Sequence, residues 1–407
     1  MRLRLHISCA ALVISLNCLY SQEQLPGRVI NMIEDIIVLS AGDRDAEDFM
    51  EEISLLAENP VRINSGDENE IKRLFFLSPF QVQSVLEYTK KHGPLLSVNE
   101  LKYIHGFDKE LAGLLNHFII VDREKQTFTG RHRQLRTITN FITDTREPEA
   151  GYPGKDYKIL TKLRFTGGAV EANLTLEKDR GEVFILPSYQ PEYCSGNITC
   201  NNNGLLNKII IGDYRVRFGQ GLTSWNGFSP SPSPAESRIM KSRSVILPHT
   251  SSDENDFFRG LALSFDMGKI KVMTFASDIM KDATVDNDPE TGNPFIRSFY
   301  TSGLHNTVTG LQKRNKFKES TLGFNVNSMT RNLYLGMSGV YSILSLPVDP
   351  GDELRDIYDF RGTKNACLAL EYACLLRYSY FFGELAINES GRTAFLQGLS
   401  LNPDGRI

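Results

Sequence analysis

The period of the hydrophobic pattern changes at about residue 130. Upstream, apolar residues recur at helical spacing. Downstream, apolar and polar residues alternate strictly, in segments of about ten residues split by polar, Gly-rich turns. Strict alternation gives every strand one apolar and one polar face. Two architectures satisfy that pattern. A transmembrane β-barrel turns its apolar face to lipid. A large secreted β-sandwich turns it to a dry core.

The start of the chain reads as a secretion signal. Arg2, Arg4 and His6 are basic, and the apolar stretch 7–20 is too short to span a bilayer as a helix. Cleavage is expected after Ser21. Cys18 follows Asn17, where a lipid-attachment signal needs a small residue, so a lipoprotein is not the favoured reading. No later segment approaches 18 consecutive apolar residues. The net charge of -4 argues against a general nucleic-acid surface. The chain divides into a signal (1–21), an acidic helical segment (22–58), a helical module (59–123) and a β-region (124–407).

In residues 23–58 ten acids face two bases, and Asp45 to Glu52 reads as a solvated helix face. Within the module, Ser65 is a candidate N-cap, with Asp67 and Glu68 in the first turn. A helix is expected from Pro79 to Lys91, stopped at Gly93-Pro94. Ser97-Val-Asn-Glu100 has capping-box spacing and is expected to open a third helix. His105-Gly106-Phe107 is a turn, and a fourth helix is expected over 109–118.

The order Ile63-Asn-Ser, acidic first turn, hairpin, Lys91-His-Gly-Pro-x-x-Ser-Val-x-Glu-Leu101 resembles the tandem helix-hairpin-helix domain of competence-type DNA-uptake proteins, over residues 61–120. The resemblance implies two hairpins whose Gly-x-Gly turns bring backbone N–H groups against a DNA phosphate. The corresponding residues are Phe76, Leu77, Ser78 and Pro79 in the first hairpin and Gly106, Phe107 and Asp108 in the second. Phe76 and Ser78 replace both glycines of the first turn, and Asp108 replaces one in the second. An Asp there repels phosphate, and acids and bases balance at eight each over 59–123. A protein-docking or plug role for the hairpins is therefore preferred to DNA binding. The apolar crowd Phe75, Phe76, Leu77 and Phe80 is expected to pack on the acidic N-terminal helices or on the mouth of the β-region.

In the β-region, Tyr157, Ile159, Thr161, Leu163 and Phe165 share a face, and Val170, Ala172, Leu174 and Leu176 follow after the Gly167-Gly168 turn. Leu261 to Met267, Ile270 to Ala276, Leu322 to Val326, Leu333 to Gly339 and Leu368 to Phe382 alternate likewise. The opposite face is charged, through Lys158, Lys162, Arg164, Glu171, Glu177, Arg215, Arg217, Lys271, Glu371 and Arg377. Alternating short and long connections, long hairpins and aromatics near strand ends favour the barrel. Short turns would then be periplasmic and long loops extracellular. The stretch 225–256, with Ser229-Pro-Ser-Pro-Ser-Pro234, reads as a surface loop. The run Ile211-Gly-Asp-Tyr-Arg-Val-Arg-Phe-Gly-Gln-Gly-Leu222 resembles segments of large outer-membrane proteins of Bacteroidetes that carry an N-terminal helix-hairpin-helix module. About eleven strands and the turn-like end Leu401-Asn-Pro-Asp-Gly-Arg-Ile407 suggest the N-terminal part of a longer barrel protein.

Cys194 and Cys200 lie in a segment with the composition of a loop, and a local disulfide is expected in an oxidising compartment. Cys367 and Cys374 differ in parity and cannot pair on one strand. No zinc-protease, serine-hydrolase or phosphate-loop motif is present, and His92 and His105 read as helix-end residues. Asp286-Asn-Asp-Pro-Glu-Thr-Gly292 departs from a calcium loop in its Gly position and lacks the distal Glu, so it reads as an acidic loop. The expectation is an α+β protein, a small all-α helix-hairpin-helix module followed by a large antiparallel, truncated transmembrane β-barrel. It would be non-catalytic, with no metal and no cofactor, in contact with outer-membrane lipid and with an envelope protein at a periplasmic module. A DNA-uptake receptor is the runner-up.

Overall fold

The computed structural model describes residues 79–104, 106–107, 109–121, 133–143, 153–183, 192–202, 204–226, 244–330, 332–351, 353–376 and 379–401, with parts of 53–77. The signal, the acidic segment up to residue 52, Phe76, Ser78, Asp108, the Ser229–Pro234 run and the chain's last six residues lie outside the described set.

The helical module is small but has its own core. Short strands β1 (Val61–Arg62) and β2 (Ile119–Ile120) pair in parallel and tie its two ends together. Between them lie α1 (Glu68–Ile71), α2 (Pro79–His92), a 3-10 turn (Val98–Tyr103) and α3 (Lys109–Leu115). Ile53, Val61, Ile63, Ile71, Val85, Leu95, Leu101, Leu115 and Phe118 are fully buried together. Gly93 takes φ +89° directly after α2, the left-handed position that ends the helix. The capping box does not form. The Ser97 side chain caps nothing, and Glu100 accepts from the N–H of Leu96, at 3.2 and 3.3 Å from its two oxygens. The third helix is accordingly a 3-10 turn, and the fourth stops at Leu115.

Beyond the module the described strands form one sheet of sixteen, antiparallel except where β13 joins β15 in parallel. Its main path runs β3 (Arg133–Thr143), β4 (Tyr157–Gly167), β5 (Val170–Lys178), β6 (Tyr193–Asn201), β7 (Leu206–Phe218), β10 (Phe258–Met267), β11 (Ile270–Lys281), β14 (Phe317–Met329), β15 (Leu333–Val348), β16 (Gly362–Leu375), β17 (Ser379–Asn388) and β18 (Thr393–Leu401). Among the described residues β3 and β18 are free edges, so the sheet is not closed. Short strands β8 (Ser224–Trp225) and β9 (Val245–Pro248) add to β7, and β12 (Ala283–Asn287) pairs with β13 (Pro294–Phe299). The supposed 225–256 loop therefore contains a strand. Asp286 and Asn287 likewise belong to β12, and Asp288 caps the following turn by accepting from the N–H groups of Glu290 and Thr291.

Connections alternate in length. At one end they are tight: Gly168-Ala169 joins β4 to β5 and Gly268-Lys269 joins β10 to β11. At the other end they span 179–192, 219–257, 282–316 and 349–361, with 389–392 as the short exception. Arg133 pairs with Gly167, so the module enters the sheet at the tight-turn end.

The burial of the two faces is inverted relative to a soluble sheet. Leu261, Leu322, Leu335, Met337, Leu368, Leu370, Leu385, Ile387 and Phe395 share one face and are exposed. Asn173, Asn197, Asn325, Ser338, Glu371 and Glu384 share the other and are buried. The sheet therefore curls around its polar face. Contacts across the interior show this directly, since the turn after β7 touches β17, six strands away along the path.

Candidate functional site

The polar interior is filled by the chain itself. After Phe218 the backbone turns inward at Gly219-Gln220-Gly221-Leu222. The Glu384 Oε2 atom accepts from the N–H of Gln220 at 2.5 Å and of Leu222 at 3.3 Å. Thr223 meets Ser338 at 2.9 Å. Gly219 has φ +56°, and a Cβ added there would stand 2.7 Å from the Glu384 carboxylate. The backbone conformation favours glycine, and a Cβ would press on the Glu384 carboxylate.

Glu371 and Glu384 are direct cross-strand partners, a repulsive arrangement for two carboxylates. Each is supplied with donors. Glu371 Oε1 accepts from Asn325 Nδ2 at 2.8 Å, Ser244 Oγ at 3.1 Å and Tyr334 OH at 3.1 Å. Ser244 in turn accepts from the N–H of Gly219 at 2.9 Å. The two carboxylates thus pin an inward-folded segment across the interior, which narrows any passage along the polar face.

A second cluster lies among the long connections. His305 is buried between two carboxylates, with Nδ1 3.0 Å from Glu192 Oε1 and Nε2 2.9 Å from Asp282 Oδ2. The Glu182 carboxylate accepts from the His305 N–H at 2.9 Å and from the Asp179 N–H at 2.8 Å. Arg314 Nε reaches Glu192 Oε1 at 2.7 Å. Burial, helped by the charges of Glu192 and Asp179 and opposed by the two N–H donors, raises the Glu182 pKa to about 7. Burial alone would lower the His305 pKa, but the Asp282 and Glu192 carboxylates outweigh it and raise the value to about 9.

The sequence-derived site residues fall elsewhere. Leu77 and Phe107 are buried in the module's own core. Gly106 has the positive φ of a turn, +92°, but its carbonyl is taken by Gln81 Nε2 at 2.6 Å. Pro79 is the first residue of α2. Docking is carried instead by Phe80, which leaves the module core and packs among Tyr334, Tyr380 and Phe382 of the sheet. Its ring meets that of Tyr380 edge-on, with centroids 5.1 Å apart at 84°. The contact lies at the tight-turn end.

The Cys194–Cys200 disulfide is corrected. Both residues belong to strand β6, and both thiols are free. Six residues of extended chain separate them by about 20 Å, far beyond disulfide reach. The polar segment Cys194 to Asn201 looked like a loop because one face of β6, with Ser195, Asn197 and Thr199, is a buried polar face. Neither interior cluster was found as a site from the sequence. The glycines of the 218–222 run are the sequence feature that could have pointed to a close approach of backbone to another group.

No family model matches the chain, and no curated protein matches it. Among solved structures it is similar to OmpTdeltaL8, a loop-deletion mutant of an outer membrane protein of Vibrio cholerae, at 8% identity and TM-score 0.25, over 66% of this chain and 86% of that one. An anion-selective porin from Comamonas acidovorans aligns at 11% identity and TM-score 0.26, over 66% and 83%. OccK9 of Pseudomonas aeruginosa aligns at 12% identity and TM-score 0.21, over 67% and 70%. Similarity this low says nothing of what the chain does.

Proposed function

We propose that the protein is a non-catalytic outer-membrane β-barrel protein whose helical module docks at the periplasmic, tight-turn end. It serves transport, assembly or docking in the envelope. One observation carries the reading: from β6 to β18 apolar side chains such as Ile198, Ile211, Leu261, Leu322, Leu370 and Leu385 stand exposed on the outer face, while carboxylates and amides are buried within beside an apolar cluster of Ile210, Phe218 and Phe275. In water such an outer face is costly, at about 25 cal/mol per Å² of apolar surface. In hydrocarbon it is the stable arrangement, because curled strands satisfy their backbone groups within the sheet. The inward segment Gly219–Thr223 then acts as the constriction of the lumen.

The module is read as a degenerate helix-hairpin-helix pair whose first hairpin has become a docking element through Phe80. The DNA-uptake reading is set aside on the sequence, because Phe76, Ser78 and Asp108 replace turn glycines and acids balance bases over the module.

Fluorescence quenching tests the reading. The chain has one tryptophan, Trp225. In a Trp225→Phe background reconstituted in vesicles, Leu370→Trp is expected to be quenched strongly by lipid brominated in its acyl chains, and Ala369→Trp weakly. Equal quenching at the two positions, or a protein that stays in solution without detergent, would refute the membrane reading.

A further inference from the structure

We infer that Glu182, Glu192 and His305 form a binding site for one divalent transition-metal ion, of the zinc or manganese class, among the long connections of the sheet. One potential ligand atom from each of the three residues lies within 4.8 Å of the others, and all three residues are buried. Two carboxylates and an imidazole are a borderline donor set, suited to zinc and manganese rather than to calcium.

Two further observations point to a missing ligand. First, the buried His305 ring lies between two carboxylates, Nδ1 beside Glu192 and Nε2 beside Asp282, the arrangement of a metal-bound imidazole with an orienting carboxylate behind it. Second, Glu192 Oε2 is buried with no partner, although the Glu192 side chain is 1% exposed. Buried polar atoms left in that state cost about 1–3 kcal/mol each, so native structures rarely keep several in one place. Glu254 Oε1 is in the same condition nearby.

A divalent ion would displace the His305 proton and take Nδ1, on the Glu192 side, as its ligand. Asp282, beside Nε2, then orients the ring from behind, as carboxylates do for metal-bound imidazoles. The 179–192 and 282–316 connections would be tied at one point, which fixes the rim of the sheet.

Titration of the full-length, detergent-solubilised and chelator-stripped protein with Zn²⁺, Mn²⁺ and Ca²⁺ decides the matter, with heat and fluorescence-detected melting as readouts. One Zn²⁺ or Mn²⁺ per chain is expected, with a rise in melting temperature, and no such response to Ca²⁺. Glu192→Gln, nearly isosteric, and His305→Ala should each abolish the response, and Asp282→Asn should weaken binding about 10–100-fold. Glu353→Gln, on the exposed 349–361 connection, should bind as the parent does. Heat-modifiable gel migration confirms that each variant is folded. Absence of binding by the folded parent overturns the proposal and leaves a self-neutralised ion cluster. Binding that survives both Glu192→Gln and His305→Ala overturns it as well.

Discussion

Single residues decide how the interior is closed. At Gly219 a φ of +56° and a Cβ position 2.7 Å from the Glu384 carboxylate coincide. Gly219→Ala would meet both penalties. The strained backbone alone costs about 1–3 kcal/mol, and the methyl group also pushes the turn off Glu384. The expected result is a lower melting temperature with a folded sheet, and a larger conductance in planar bilayers because the inward segment is displaced. Glu384→Ala should relieve the clash but remove the acceptor for the Gln220 and Leu222 N–H groups, so combining the two changes should be less than additive. Strictly additive losses in stability would show that Gly219 and Glu384 do not act on each other.

At the scale of elements, the sequence was most legible where period alone sets structure. Alternation at Leu322, Phe324, Val326 and at Leu368, Leu370, Tyr372 placed β14 and β16 and their outward faces correctly. Period was misleading where the polar face is rich in small residues. Cys194 to Asn201 is a strand whose polar side chains are buried against the interior, so its composition imitated a loop. Period was silent where a contact joins distant segments, as at His305 with Glu182 and Asp282, or at Glu384 with Gln220. In the module the helix ends were legible from Gly93. For the hairpin, a turn motif does not say which of its apolar side chains face the domain core. Leu77 turned in and Phe80 turned out. Helix α2 therefore depends on the sheet for part of its burial. Phe80→Ala removes a nearly fully buried ring from the cluster of Tyr334, Tyr380 and Phe382, a change that costs about 3–5 kcal/mol in a packed core. Hydrogen exchange of α2 amides should speed up markedly in this variant while exchange in β14 and β15 stays as in the parent. Unchanged α2 exchange would mean that the module is held to the sheet by other contacts.

For the molecule as a whole, the arrangement of ends has a consequence for sidedness. The module joins β3 at the tight-turn end, and Phe80 docks at that end as well. The His305 cluster and the 349–361 connection sit at the opposite end. In an outer membrane the short turns face the periplasm and the long connections face outward. Leu354 and Tyr358, 89% and 83% exposed, mark the outer end, and Tyr103, 72% exposed, marks the module. Single cysteines at these places, in a chain lacking Cys194, Cys200, Cys367 and Cys374, report on sidedness through a membrane-impermeant maleimide. Leu354→Cys should label in intact cells. Tyr103→Cys should label only after the outer membrane is permeabilised. Both substitutions lie at exposed positions and should cost within about 0.5 kcal/mol in stability, so the difference reads topology and not folding. Labelling of Tyr103→Cys in intact cells would place the module outside and reverse the orientation. A protein that labels equally at both positions without permeabilisation does not span the membrane with these strands.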